Sequence, residues 1–218
     1  MIDFNFHIDT PRLTLSHFNP ALDSHCDFLV ALWTQPSALR AAGGIATPNS
    51  TREKARKQIE RDTERIHPET GYGRYLISLK MPLSSPGAHD TRPLSELVET
   101  YIKIGTVTMK VRQYVDTPVL PDLGFGLLEA YEGRGYATEA ATGLLKYFEE
   151  VKGTREFLGL VHPDNERSIA MMKRLGFREE GVRGVLGLTE DGSAVEPLCW
   201  SRGLKGELPR IVKLKDGE

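Results

Sequence analysis

The segment YEGRGYATEAATGLLKYFEE, residues 131–150, decides how this chain is read. Gly133, Arg134 and Gly135 precede a run of small residues. Ala137, Ala140, Ala141, Leu144, Leu145 and Phe148 then recur at helical spacing, which predicts a helix packed on a sheet. A helix N-terminus presents backbone N–H groups with no intrahelical acceptor and the positive end of the helix dipole. Glycines there remove the Cβ atoms that would keep an anion away. Strand, glycine turn and helix together make a candidate pyrophosphate cradle, where a lone Gly-x-Gly otherwise signals only a turn. A dinucleotide fingerprint would need glycine in place of Thr138 and an early position in a parallel repeat. A phosphate-binding P-loop would need Gly-Lys-Ser/Thr. Neither pattern is present.

Working outward, VLPDLGFGLL reads as a strand whose interior glycines signal a bulge or a close backbone approach. EFLGLVH is a short apolar strand, and PDNERSIAMMKRLG is a helix with Asp164 or Asn165 near its N-cap and Gly176 at its stop. RLTLSHF alternates as a first strand, and Leu22, Cys26, Leu29, Val30 and Trp33 outline a helix ending before Pro36. Ser50 with Glu53 matches a capping box opening TREKARKQIERDTERI. YGRYLISLK and YIKIGTVTMKV are two strands separated by a connector rich in Pro, Ser and Gly, of which 82–98 is expected to be a flexible insertion. FREEGVRGVLGL and EPLCWSRGL close the fold, followed by a polar tail, 205–218. No repeat or linker divides the chain, so 1–218 is expected to form a single domain.

Charged residues make up 27% of the 218 and hydrophobic residues 39%, which describes a globular chain. Formal net charge is -2, which argues against a dedicated nucleic-acid binder. Cys26 and Cys199 have no metal spacing and read as reduced thiols. No signal-peptide core or membrane-length apolar run is seen, and the expectation is a cytoplasmic protein with neither nucleic acid nor membrane as partner. Monomer and homodimer stay open.

DLGFGLLEAYEGRGYATEAATGLLKYF followed by VHPDNERSIAMMKRLGF resembles the GNAT superfamily of acetyl-CoA-dependent N-acetyltransferases, in the branch of the ribosomal-protein N-terminal (alanine/serine) enzymes. Asp122 matches the acidic position before Gly124-Phe125. Gly133 to Ala140 match the phosphate motif, Asn165 and Ser168 the second motif, and Leu175-Gly176-Phe177 its end. TPRLTL also looks like this branch's first strand. The resemblance implies a single α/β (α+β) domain with a central mixed, mostly antiparallel, splayed sheet flanked by about four helices. It implies acetyl-CoA as co-substrate, no metal, and an amine acceptor. Leu127, Leu128, Gly133, Arg134, Gly135, Tyr136, Ala137, Thr138 and Asn165 would bind the coenzyme, with backbone N–H groups of 134–138 on its pyrophosphate. One departure is Ala130, where the superfamily often has Gln or Arg.

Amine attack on a thioester requires a neutral amine, a polarised carbonyl and a proton for the leaving thiolate. By position in the resemblance, Asp122 would take the ammonium proton, with Glu129 and His162 as alternatives. A backbone N–H in GFGLL, exposed by Gly126, would polarise the carbonyl. Many superfamily members protonate the thiolate with a tyrosine where this chain has Met172, which has no proton to give. Ser168, or a water held by Asn165 and Ser168, is the expected substitute, although Asn165 also suits a helix cap. Glu139 lies off the apolar stripe and suits a structural salt bridge. The leading reading is an acetyl-CoA-dependent N-acetyltransferase acting on a small amine or a peptide N-terminus. A catalytically idle acyl-CoA-binding or sensing module is the alternative, and a nicotinamide-dependent enzyme a third.

Overall fold

The structure, a computed structural model, describes residues 2–41, 50–80, 92–111, 120–184, 195–206 and 208. It divides into two compact units, residues 1–108 with 125–144, and residues 109–124 with 145–218.

The first unit opens with a hairpin that sequence patterning missed, because β1 (His7–Asp9) has only three residues. It pairs antiparallel with β2 (Leu13–His17), Ile8 opposite Leu15. In turn β2 pairs antiparallel with β3 (Gly73–Leu79), Leu15 opposite Ile77. Every residue of β2 is buried, as expected of a strand covered on both faces. The helices are α1 (Asp23–Thr34), α2 (Pro36–Ala41) and α3 (Arg52–Glu60), whose cap is Thr51 and not Ser50: its side chain accepts from the Lys54 N–H. The helical path continues through a π-helical turn, Arg61–Ile66, into α4 (His67–Thr70), and stops at Gly71 with φ 74°. Asp62 of the π turn meets Arg74 of β3 at 3.0 Å. Phe18, Cys26, Phe28, Leu29, Leu32, Ala55, Ile59, Leu76 and Val98 form this unit's core.

Val98 corrects one expectation. Residues 82–91 of the connector lie outside the described residues, but Leu94–Leu97 form a one-turn helix, α5, and Val98 is 3% exposed in the core. The end of the connector is therefore anchored. In β4 (Ile102–Val111), a Cβ at Gly105 would lie 2.5 Å from the Gly126 carbonyl oxygen, so a close backbone approach does occur at Gly126, and it also requires glycine at 105, which sequence reading did not single out.

The second unit holds the start of β5 (Pro121–Leu127), then β6 (Phe157–Val161), β7 (Arg178–Val182) and β8 (Leu198–Arg202). β8 pairs antiparallel with both β6 and β7. Among the described residues, β5 and β6 are parallel and meet in register at one pair, Asp122 with Leu158. A parallel pair that ends after one rung is the splay expected of this sheet. Trp200 is 1% exposed, and Leu208 buries beside Leu158 and Cys199, so the tail is anchored at that residue. The remaining helices are α6 (Tyr136–Glu150) and α7 (Glu166–Arg174), and the strand order is β1-β2-β3-β4-β5-β6-β8-β7. Among the described residues there are seven α-helices against the about four expected, and three of them, α2, α4 and α5, span six residues or fewer.

Two buried histidines of the first unit generate a pH prediction. His17 is 5% exposed, with its ring 4.9 Å from Phe6 and 4.7 Å from His67. Burial, aided by His67, pushes its pKa down to about 3. Burial lowers His25 to about 4 despite the opposing pull of Glu99. The unfolded chain binds protons at these sites near pH 6.5, whereas the folded chain does not, so stability is present above pH 6.5 and lost as pH falls toward the folded values. Between pH 6.5 and 5, denaturant titrations should show unfolding free energy falling by up to about 1.4 kcal/mol per pH unit per histidine. His17→Phe should remove one histidine's share of that slope. A flat profile in this window would contradict the burial of both rings as neutral imidazoles.

Candidate functional site

After β5, Leu128 donates its N–H to the Ile104 carbonyl at 2.9 Å, and a single 3-10 turn, Glu129–Tyr131, leads to the glycines. The Leu127 carbonyl accepts from the Gln35 side chain at 2.8 Å, while Gln35 Oε1 accepts from the Glu129 N–H at 2.9 Å. The Glu129 carboxylate in turn accepts from the Ser37 N–H at 2.6 Å. Glu129 thus works at the start of α2, and Gln35 is a partner that sequence reading did not single out.

Gly133 and Gly135 have φ of 72° and 80°, the left-handed region where a Cβ is strained. The loop 133–135 is exposed. Glu139 donates its N–H to the Gly135 carbonyl at 3.0 Å, the first i→i−4 bond of α6. The N–H groups of Tyr136, Ala137 and Thr138 therefore precede any intrahelical acceptor. Together with the dipole of a 15-residue helix, this makes the start of α6 an anion-accepting end. Gly133, Arg134 and Gly135, expected to contribute to a cradle, form this exposed turn, and Tyr136, Ala137 and Thr138 form the first residues of α6. The Arg134 guanidinium lies 5.9 Å from the centre of the Tyr131 ring.

The same turn is fastened by residues whose role the sequence did not reveal. Glu139 accepts from the Thr10 hydroxyl at 2.6 Å, from the Arg12 backbone N–H at 2.8 Å and from Arg12 Nε at 2.6 Å. Burial alone would raise the Glu139 pKa, but these donors outweigh it and hold the carboxyl below its usual value. The salt bridge expected of Glu139 is present, with Arg12 as its partner. The signal available in sequence was the TPRL stretch at the start of β2.

In the second unit, Asp122 sits near the start of β5, opposite Leu158 and 5% exposed, so it is a buried carboxylate and not a solvated strand end. Its charge contributes, after burial, to pushing the Cys199 thiol up to about 12. Cys26 and Cys199 are both free, buried thiols. Asn165 caps α7, its Oδ1 accepting from the Ser168 N–H at 3.0 Å, so the structure brings this expected pair together as a cap. Met172, at the usual tyrosine position, is 1% exposed, and a Cβ on Gly159 would come within 2.9 Å of its sulfur. His162 is exposed and accepts from the Asp164 N–H at 3.2 Å. Among the described residues, no group of three or more His, Cys, Asp or Glu side chains could hold a metal ion, and no helix is long and apolar enough to cross a membrane.

Comparison with known proteins places these features. Residues 12–178 match the acetyltransferase (GNAT) domain. A 60-residue stretch is 32% identical to the uncharacterised N-acetyltransferase YnaD of Bacillus subtilis strain 168, covering 28% of this chain and 35% of that protein, about a third of its length. Ribosomal-protein-S5-alanine acetyltransferase from Vibrio fischeri superposes with a TM-score of 0.63 at 14% identity, over 90% of this chain and 96% of that one. RimL, the ribosomal L7/L12 alpha-N-protein acetyltransferase, solved with coenzyme A, gives 0.64 at 18%, over 91% and 98%. MccE, the microcin C7 self-immunity acetyltransferase solved with acetyl-CoA and AMP, gives 0.64 at 17%, over 89% and 94%. At these identities the likeness is one of fold. Because the domain match covers well over half of its length, this chain belongs to the GNAT acetyltransferase family.

Proposed function

We propose that this protein transfers an acetyl group from acetyl-CoA to a primary amine, either a small molecule or a peptide N-terminus, by direct attack on the thioester. The observation that carries this reading is the glycine turn 133–135 at the start of α6, set within a chain of GNAT type. Backbone N–H groups of residues 134–138 bind the pyrophosphate, and Leu127 and Leu128 line the path of the pantetheine arm. Backbone recognition tolerates the departure at Ala130, because its donors do not depend on side-chain identity. RimL and MccE, which share the fold, were solved with coenzyme A and acetyl-CoA respectively.

In the reaction the amine nitrogen attacks the thioester carbon, the C–S bond breaks, and the amide nitrogen loses a proton while the thiolate gains one. Asp122 takes the ammonium proton, directly or through water. Asn165 Oδ1 is engaged with the Ser168 N–H, which leaves the Ser168 hydroxyl, or a water beside the pair, to serve the thiolate. Asn165 also contributes to the coenzyme site. Met172 is 1% exposed against Gly159 and its thioether has no proton to give, so the donor is sought elsewhere. The direct test is thiol release from acetyl-CoA against a panel of N-terminal peptides, polyamines, amino acids and amino sugars. Release stimulated by one class supports transfer and names the acceptor class. Coenzyme binding without stimulated release by any class would favour the idle module.

Two substitutions test the parts separately. Gly135→Asp places a side chain and a negative charge where phosphate approaches. Calorimetric titration should show coenzyme A binding abolished in the folded variant, and parent-like affinity would remove the cradle assignment. Asp122→Asn should depress turnover most at neutral pH, by ~10²–10⁴-fold, and recover as pH rises and the amine loses its proton unaided. Ser168→Ala should lower turnover without alkaline rescue and with little change in coenzyme affinity. Full activity of Asp122→Asn across the pH range would move the proton to another group.

A further inference from the structure

The glycine turn cannot hold its own shape: two of its three residues lack side chains and all three are exposed. What fixes it comes from residue 12. Arg12 Nη1 donates to the Arg134 carbonyl at 3.2 Å, Nε donates to Glu139 Oε2 at 2.6 Å, and the guanidinium lies 4.5 Å from the centre of the Tyr136 ring. One side chain thus reaches both the turn and the first turn of the helix.

Three consequences follow. The Arg134–Gly135 peptide is trans, so its carbonyl and N–H point in opposite directions. Holding the carbonyl toward Arg12 turns the Gly135 N–H the other way, so the direction of that donor follows from the Arg12 contact. Next, Glu139 is ionised in the first turn of α6, where an uncompensated carboxylate would repel phosphate. Arg12 and the Thr10 hydroxyl tie that charge back. Last, Arg12 Nη2 donates to no acceptor among the described residues and lies 3.5 Å from where a Cβ on Gly135 would stand, leaving one cationic donor beside the turn.

We infer that Arg12 is the positioning residue of the anion cradle, acting through the Arg134 carbonyl and Glu139. It makes the enzyme selective for pyrophosphate-bearing thioesters over thioesters that lack the pyrophosphate. This rests on the acetyl-CoA reading above. The test uses the full chain and its Arg12→Ala, Arg12→Lys and Arg12→Ala/Glu139→Gln variants. Coenzyme A affinity is measured by calorimetry, and kcat and KM are measured with acetyl-CoA and with S-acetylpantetheine. Arg12→Ala should weaken coenzyme A at least about tenfold, the scale of a lost charge-assisted contact. The kcat/KM preference for acetyl-CoA over S-acetylpantetheine should fall by a similar factor, mainly through KM for acetyl-CoA. Arg12→Lys should retain part of the preference, because an ammonium keeps the charge but not the fork. Removing the Glu139 charge alongside Arg12→Ala should restore part of it. Where Arg12→Ala fails to fold, the preference ratio of Arg12→Lys decides in its place. Equal loss toward both thioesters would mean a merely structural arginine and overturn the inference. So would unchanged coenzyme A affinity, with the acetyl-CoA reading left standing. A parent protein that binds no coenzyme A would overturn both.

Discussion

A carboxylate in the first turn of α6 sits between two demands. Glu139 is favoured there by the helix dipole, yet its side chain is only 14% exposed, and burying an ionised carboxylate is costly unless its lone pairs are filled. The chain meets both demands with three donors from residues 10 and 12, the turn between β1 and β2. That contact fastens the hairpin to the helix, and Gly143 lets the two approach, since a Cβ there would lie 2.7 Å from Thr10 Cγ2. The short β1, fully buried β2 and the start of α6 are thereby set with respect to one another. The turn that precedes the helix inherits its position from the same contact.

In the proposed cradle, made of backbone, this arrangement would be the source of specificity. Peptide N–H groups are identical in chemistry from residue to residue, so discrimination must come from where they point. Positive φ at Gly133 and Gly135 gives the turn its path, and a charged side chain holds one of its carbonyls. In the proposed function the turn of the first unit would receive the pyrophosphate, while the acid–base roles fall to Asp122 and Ser168.

Much of this was legible from one sequence wherever a local pattern carried the information. The stripe from Ala137 to Phe148 fixed α6, and Ala140, Ala141, Leu144, Leu145 and Phe148 are each 1% exposed or less. The cap at Asn165 and the stop at Gly176, with φ 76°, are likewise local events. What escaped was long-range or too short to be periodic. Arg12 and Glu139 are 127 residues apart, so TPRL showed the start of a strand but not its ionic partner. β1 has three residues and α5 four, too short for a period of 2 or of 3.6 residues to repeat twice. The one-residue shift from Ser50 to Thr51 at the α3 cap reflects two adjacent hydroxyl residues, either of which could cap; the one that does is Thr51, in extended backbone, accepting from the Lys54 N–H.

The central claim, that an anion is received by the backbone at the start of α6, is tested most directly by amide NMR. Spectra of the ¹⁵N-labelled protein would be recorded during titration with coenzyme A and, separately, with pantetheine, which lacks the pyrophosphate. The account predicts downfield amide proton shifts at Gly135, Tyr136, Ala137 and Thr138 with coenzyme A and little change there with pantetheine. Saturable coenzyme A binding that leaves these four amides unmoved would contradict it.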